Sequence, residues 1–484
     1  MAQDDAEGVT TALRLALKPF NSTLMTDFSD ITGSATEAYE LTPEFIRSVS
    51  EALAHPGSSH IRDLLEPLHS ADLAYLIDML SSEERERLVE ILRDRFDPEV
   101  LVDLNPEVRE EIVYYLGTQA SAEVISQLES DVAVSVIEEL SEEDQKDILE
   151  AIPLLARTAV EEGLSYPERS AGRLMRKKVV IAPEEWNVGN AIDFLRTSTN
   201  LPKDFYALFV VDQDQKPVGS VLVSRIIRSA RDAAIRDIMD CEPRLIPAEM
   251  DQEEVAFIFR KYGLTSAPVI GEDGRIHGML TIEDILEVIE EEAGEDLMRL
   301  GGVIADDYFS AVRSTVQRRF PWLFVNMITA LIGSYVISQF SGTIEKLVAL
   351  ASLMPIVASM GGNTGTQAVT VAVRALATRE LSSINARRAV TKELMVGLAH
   401  GLILATMVGL VSFLWHHDAQ LSGIFAIAVV LNLTCAGLAG VLIPLTLDRL
   451  DVDPAIASGV FLTAITDIFG FFLFLGLATW MLAL

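Results

Sequence analysis

One carboxylate, Asp467, stands inside the apolar run FLTAITDIFGFFLFLG, Phe461 to Gly476. A charged side chain near a bilayer centre costs at least ~2.5 kcal/mol, so an acid kept there marks an ion or proton path by default. No Lys or Arg lies deep in any apolar segment, so an internal salt bridge lacks its cation and a mobile cation is the better partner. Asp453, in LDVDPAIASG at the start of the same segment, would draw ions to the mouth. The plainer alternative is a helix N-terminal acid ahead of Pro454. A second stretch is unlike lipid-facing helix: MPIVASMGGNTGTQAVTVAVRAL, Met354 to Leu376. Pro355, Gly361, Gly362 and Gly365 loosen it, and Asn363, Thr364, Thr366 and Gln367 add polar groups at one level. Irregular backbone is tolerated in a bilayer only where protein buries it or it lines a wet cavity. Tight packing through small residues is the alternative. Asp467 favours a polar, water-filled path.

A third group is acidic. Between Glu283 and Asp296, in TIEDILEVIEEEAGEDLMRLGG, eight of fourteen residues are acids: Glu283, Asp284, Glu287, Glu290, Glu291, Glu292, Glu295 and Asp296. Positions 284, 287, 291 and 295 share one helix face, where like charges repel by about 0.2–0.5 kcal/mol per pair. Divalent cations with oxygen ligands would relieve that repulsion. A solvated acidic helix is the alternative. The first apolar segment begins about 25 residues further on, which favours the cation reading.

The elements that must position these groups divide the chain. Of 484 residues, half are hydrophobic, yet the formal net charge is -33. Pro321 to Leu484 holds 7 Lys/Arg and 8 Asp/Glu, against 31 and 63 in the first 320 residues, so the excess charge is N-terminal. Such an acidic surface argues against nucleic acid and anionic lipid as partners and suits cations. Five apolar segments, near 321–340, 348–376, 390–415, 421–447 and 455–484, are each long enough to span ~30 Å of hydrocarbon. Arg313, Arg318, Arg319, Arg374, Arg379, Arg387, Arg388, Lys392 and Arg449 flank them on one side. The positive-inside rule then puts the N-terminus in the cytoplasm and the C-terminus outside. The first twenty residues lack a basic-then-apolar signal peptide. Cys241 and Cys435 read as reduced structural thiols.

Upstream, Leu68, Leu80, Leu92, Leu104, Leu116, Leu128, Leu140 and Ile152 recur every twelve residues. Ser81, Asn105 and Ser141 fit N-caps, and one short helix per repeat would stack into an α-superhelix over 56–165. Residues 1–55 form a less regular extension. FVVDQDQKPVGSVLVSRII (Phe209 to Ile227) aligns with PVIGEDGRIHGMLTIEDIL (Pro268 to Leu286) at an offset of 59. Each copy predicts helix, short apolar strand, turn, strand, helix, which resembles a tandem α/β CBS pair, at 170–232 and 233–292. Such pairs often bind adenine nucleotides, so ATP is a candidate cofactor there.

The order of parts, with PIVASMGGNTGTQA, RALATRE, DVDPA and TDIFG, resembles the MgtE family of magnesium channels and transporters over about residues 55–484. That resemblance implies a multidomain membrane protein: an acidic α-superhelical N domain, a CBS pair, a connecting "plug" helix over 293–319 and a five-helix transmembrane domain over 320–484. It implies a homodimer in the cell (inner) membrane with its pore between two sets of helices. By position, Asp467 corresponds to the intramembrane magnesium-binding acid, and Asn363, Gly362 and Thr366 line the path. Thr366 stands where Asn is expected in many members. Asp284, Glu287, Glu292, Glu295 and Asp296 match sensor ligands for cytosolic Mg²⁺, and Asp144, in LSEEDQKD, is a weaker match. Mg²⁺ at these acids would close the pore, with the plug helices holding it shut.

The alternative is a proton-coupled secondary transporter of another divalent cation such as Co²⁺ or Mn²⁺, with Asp467 carrying protons. An intramembrane metalloprotease would need a zinc motif such as His-Glu-x-x-His, which is missing. A pure nucleotide sensor would not need five spans with a polar break. The expectation is a transporter and not an enzyme.

Overall fold

The computed structural model describes residues 41–54, 60–199, 201–202, 204–303, 312–382, 384–450 and 452–483. They form two compact units. One holds the described residues up to Leu128 together with Leu140–Ala151; the other holds Glu129–Glu139 and everything from Ile152 onward. The expected 56–165 domain is therefore divided between the two units.

The first unit contains α1 (Pro43–Ala54), α2 (His60–Leu65), α3 (Ser70–Met79), α4 (Ser82–Leu92), α5 (Pro98–Asp103), α6 (Pro106–Leu116) and α7 (Thr118–Ile125). Next along the chain comes α8 (Ser130–Glu138), in the second unit; α9 (Glu142–Ala151) returns to the first, and α10 (Leu154–Leu164) is again in the second. Helices begin at 70, 82, 106, 118, 130, 142 and 154, so the repeat of twelve is a helix-start repeat. Each start lies two residues past a repeat leucine or isoleucine, and Leu80, Leu104, Leu116, Leu140 and Ile152 are buried. The repeat slips once: after Leu92 a single 3₁₀ turn intervenes, and Asp97 caps a new helix with Pro98 in its first turn. The predicted caps form. Ser81 and Glu84 make a capping box, Asn105 accepts from Glu107 N at 3.4 Å, and Ser141 Oγ accepts from Asp144 N at 3.3 Å.

In the second unit α11 (Ala171–Leu174) leads into β1 (Ile181–Pro183), α12 (Val188–Thr197), β2 (Ala207–Val211), β3 (Pro217–Leu222), α13 (Val223–Arg228) and α14 (Ile235–Ile238). The pattern returns as β4 (Ile246–Pro247), α15 (Gln252–Tyr262), β5 (Ser266–Ile270), β6 (Ile276–Thr281) and α16 (Ile282–Leu300). Each three-stranded sheet pairs its first two strands parallel and the last two antiparallel. The β-bulges fall at Val210/Val211 and Val269/Ile270, positions equivalent under the offset of 59. Gly219 and Gly278 are equivalent too: a Cβ would lie 2.9 Å from the Asp240 carbonyl in one and 2.7 Å from the Arg176 carbonyl in the other. The duplication thus extends to register.

The expected helix from Asp296 to about Gln317 is not one element. α16 runs unbroken from the second CBS repeat to Leu300, then Gly301 and Gly302 turn the chain, with Gly302 at φ 76°. A left-handed backbone suits glycine and stops a helix. Residues 304–311 lie outside the described residues.

The remaining elements are long helices and one short one: α17 (Val312–Ser338), α18 (Ser341–Lys346), α19 (Ala349–Ala377), α20 (Ala386–His416), α21 (Ala419–Arg449) and α22 (Pro454–Ala483). α17, α20, α21 and the stretch Ser458–Met481 are long and apolar enough to cross a membrane. α19 has the length, but Gly361 to Gln367 dilute its apolar character, so four of the five expected spans stand on composition. α21 is the centre of the bundle, with Phe425, Ala428, Val429 and Leu433 buried against Leu353 and Val357 of α19 and Phe474 of α22.

Candidate functional site

α19 does not loosen at its glycines. It is continuous, and Gly361 and Gly365 face inward. A Cβ on Gly361 would overlap the Asn432 amide nitrogen, and one on Gly365 would come 2.6 Å from Leu462 Cδ1. Gly470 approaches the same Asn432 amide, at 2.9 Å for a built Cβ. These glycines therefore serve close helix approach. Gly362 looks onto open space, and Asn363, Thr366 and Thr370 are exposed one turn after another along the outer side of α19. The small residues pack on one face of α19 and the polar ones form a stripe on another.

The two contacts bracket Asp467. Gly361 and Gly470 meet at Asn432, and Gly365 meets Leu462, so residue 467 lies at the height of Gly362 and Asn363. Asp467 is half-buried and, among the described residues, makes no hydrogen bond or ion pair. Asn432 is not among the residues singled out from the sequence. It is fully buried; Nδ2 donates to the Val357 carbonyl at 2.9 Å, while Oδ1 has no partner among the described residues. Its signal was available: one amide inside the apolar run AVVLNLTCAG.

The acidic cluster divides by partner. Asp284 closes the N-terminus of α16: its carboxylate accepts from Thr281 N at 2.8 Å and pairs with Arg176 at 2.5 Å. Arg176 also lies 3.6 Å from Asp131 and 3.9 Å from Glu129. Burial and the neighbouring Asp284 push Asp131 up to about 6, against the pull of Arg176. Glu295 is held by Arg169 and, at 2.6 Å, by Arg299, which reaches on to Asp453 at 2.5 Å. Asp453 also caps α22 by accepting from Ala455 N at 2.7 Å. The helix N-terminal reading of Asp453 is the one these contacts bear out. Glu287 is exposed. Asp144 belongs to the first unit, where Ser141 Oγ donates to its carboxylate at 2.7 Å.

Glu292 and Asp296 are different. With Glu253 of α15 they line a cavity of about 410 Å³ between α15, α16 and α19. Gln252 Nε2 donates to Glu292 at 2.6 Å. Desolvation, then the charges of Glu292 and Asp251, hold Glu253 up at about 7. Burial, then Asp453 and Glu292, raise Asp296. Together the three carboxylates offer the hard-oxygen donors a divalent cation prefers. Among the described residues no three acidic, His or Cys side chains already converge on one metal position, so coordination needs side-chain movement. Three arginines, Arg169, Arg176 and Arg299, hold Asp284, Glu295 and Asp453.

Comparison with known proteins agrees with this layout. Residues 354–477 match the MgtE divalent cation transporter family, 68–169 the MgtE intracellular N domain, and 171–232 and 235–291 the CBS domain. The chain is 34% identical to the magnesium transporter MgtE of Thermus thermophilus, over 89% of this chain and 97% of that one. It is 31% identical to the magnesium transporter MgtE of Bacillus subtilis, over 66% and 71%. Among solved structures, the cytosolic domain of the Mg²⁺ channel MgtE in complex with ATP aligns at 28% identity and TM-score 0.46, covering 50% of this chain and 99% of that one. The chain belongs to the MgtE family of divalent cation transporters, a multi-pass membrane protein with cytosolic N and CBS domains, and is not an enzyme.

Proposed function

We propose that the chain carries Mg²⁺ across the cell membrane and that cytosolic Mg²⁺ closes the path. The single observation that carries the reading is Asp467: a carboxylate unpaired among the described residues, inside a span, level with Gly362 and Asn363. Burying such a charge without a cation is costly, and a permeant cation offsets the cost. Mg²⁺ dehydrates reluctantly, so a carboxylate from each of two chains would hold it through its waters. α19 counts as the fifth span, because its exposed polar stripe of Asn363, Thr366 and Thr370 suits a wet path between two copies. The same reading takes the chain as a homodimer in the inner membrane, with its N-terminal domains inside and its C-terminus outside.

Closure follows from the cytosolic acids. Glu253, Glu292 and Asp296, beside Asp453 at the start of α22, repel one another while no cation is bound. Mg²⁺ there would draw α15 and α16 towards α22, the helix that carries Asp467. Binding must favour the closed state, since only differential affinity shifts a population. Glu295, Asp284, Glu287 and Asp144 act after their present partners let go. A cleft of about 660 Å³ beside Tyr166, Ala248 and His277 is the place to look for ATP by titrating the full chain.

The test is Mg²⁺ flux into liposomes with Glu253→Gln, Glu292→Gln and Asp296→Asn combined. Flux that continues at high internal Mg²⁺ supports the reading; unchanged feedback overturns it. Flux driven by a proton gradient without a Mg²⁺ gradient would instead favour the coupled transporter of Co²⁺ or Mn²⁺.

A further inference from the structure

The acidic balance of the chain argues against anionic lipid as a partner, but that charge is not evenly spread. At the start of α20, Arg387, Arg388 and Lys392 gather within two helical turns. The first turn of α20 holds no acid, although a helix N-terminus favours negative charge. Asn385 does not cap the helix; its Oδ1 accepts from Ser382 N at 2.8 Å and its Nδ2 donates to the Glu380 carbonyl at 2.7 Å. Among the described residues none of the three cations makes an ion pair. Three positive charges at the positive end of a 31-residue helix therefore stand without an ion pair among the described residues.

Two cavities adjoin them. A cleft of about 490 Å³ is lined by Arg387, Arg388, Thr391, Lys392 and Met395, with no acid. A second, of about 580 Å³, is a wedge between α19 and α20 floored by Val441 of α21. Its α19 wall is Ala368, Val371, Ala372 and Ala375, and Arg388 and Lys392 stand at both cavities. Glu380 and Glu393 also line the wedge, neither paired with these cations among the described residues. Beyond the cleft, Met395 (65% exposed) and Leu402 (56%) continue along the open side of α20. This end of the bundle faces the CBS module, since Arg379 lies 3.6 Å from Glu254 and 4.6 Å from the Phe257 ring.

We propose that this groove binds an anionic glycerophospholipid of the leaflet facing the CBS domains. The phosphate would sit on Arg387, Arg388 and Lys392, and the acyl chains would enter the wedge and follow Met395 and Leu402. The three cations, a wedge with an apolar α19 wall and an apolar helix side, in that order, match the charge and shape of such a lipid. A soluble phosphate matches only the first. Guanidinium groups bind phosphate oxygens in bidentate fashion, and a basic pocket between spans on this side fits a lipid headgroup.

The test is native mass spectrometry of the full chain in a mild detergent, with phosphatidylglycerol or phosphatidylcholine added. The triple variant Arg387→Gln, Arg388→Gln, Lys392→Gln is compared with a control losing three cations elsewhere, Lys178→Gln, Arg196→Gln, Arg228→Gln. The expected result is preferential retention of phosphatidylglycerol, lost by about 5-fold per cation removed in the triple variant and kept in the control. Double replacement of the arginines by lysine should restore part of it. Equal retention by all variants overturns the proposal. So does competition by millimolar inorganic phosphate, which would make the site an anion site only, or a changed oligomeric state with lipid retention intact, which would give this face to a second copy.

Discussion

Protons and Mg²⁺ should compete at Glu253. Its folded pKa of about 7 lies above the ordinary 4.5, raised by desolvation and by Glu292 and Asp251. The stability this group contributes is thus present below about pH 4.5 and lost as pH rises through about 7. Mg²⁺ needs the ionised form, so affinity moves the opposite way and grows with pH. With one proton displaced at a pKa of about 7, affinity falls about 10-fold from pH 8 to pH 6. Glu253 is exposed to solvent, which screens its neighbours, and if screening takes back one pH unit the fall is about 2-fold. The assay is Mg²⁺ titration of the full chain in nanodiscs, followed by calorimetry or protease protection at pH 6, 7 and 8. A decline of about 2- to 10-fold fits, with Glu253→Gln binding more weakly and losing most of the slope. Equal affinity at pH 6 and pH 8 would refute the assignment of Glu253 to the cation site.

Further outcomes follow from individual contacts. Asp131 is held at about 6 by burial and Asp284; its folded pKa exceeds the unfolded one, so its stabilising effect is lost as pH rises. Asp131→Asn should therefore raise the chelator-treated protein's melting point at pH 7.5, by at most about 3 kcal/mol of stability, and progressively less towards pH 4. Arg299 joins Glu295 and Asp453; Arg299→Gln should cost about 1–3 kcal/mol without Mg²⁺, and added Mg²⁺ should restore the melting point more than in the parent chain. Gly361→Ala would push a methyl group into the Asn432 amide, displacing its bond to Val357; a loss of about 1–3 kcal/mol is expected, read by thermal melting in detergent. Asn432→Leu, which breaks that bond from the other side, should destabilise the bundle similarly.

The sequence carried local order well and long-range pairing poorly. The repeat of twelve became helix starts at 70, 82, 106, 118, 130, 142 and 154, because caps and first-turn residues are local chemistry. The offset of 59 extended to equivalent bulges, since each CBS copy folds on its own strands. Asp467 was visible because one acid in an apolar run is conspicuous. The acidic run was misleading in part: five matched positions looked alike, yet their partners differ. Arg176 is 108 residues from Asp284, and Arg299 is 154 from Asp453. No periodicity reports such pairs. Glu253 lies outside the run and joins it only because α15 packs beside α16. The connecting helix was over-extended across Gly301 and Gly302, where two adjacent glycines were a stop signal.

The most direct test of the central claim is Mg²⁺ flux into liposomes by the intact chain and by Asp467→Asn, with internal Mg²⁺ stepped from low to high. Flux should depend on Asp467 and fall as internal Mg²⁺ rises. Flux through Asp467→Asn equal to that of the intact chain would contradict it, making the carboxylate structural and placing the ion path elsewhere.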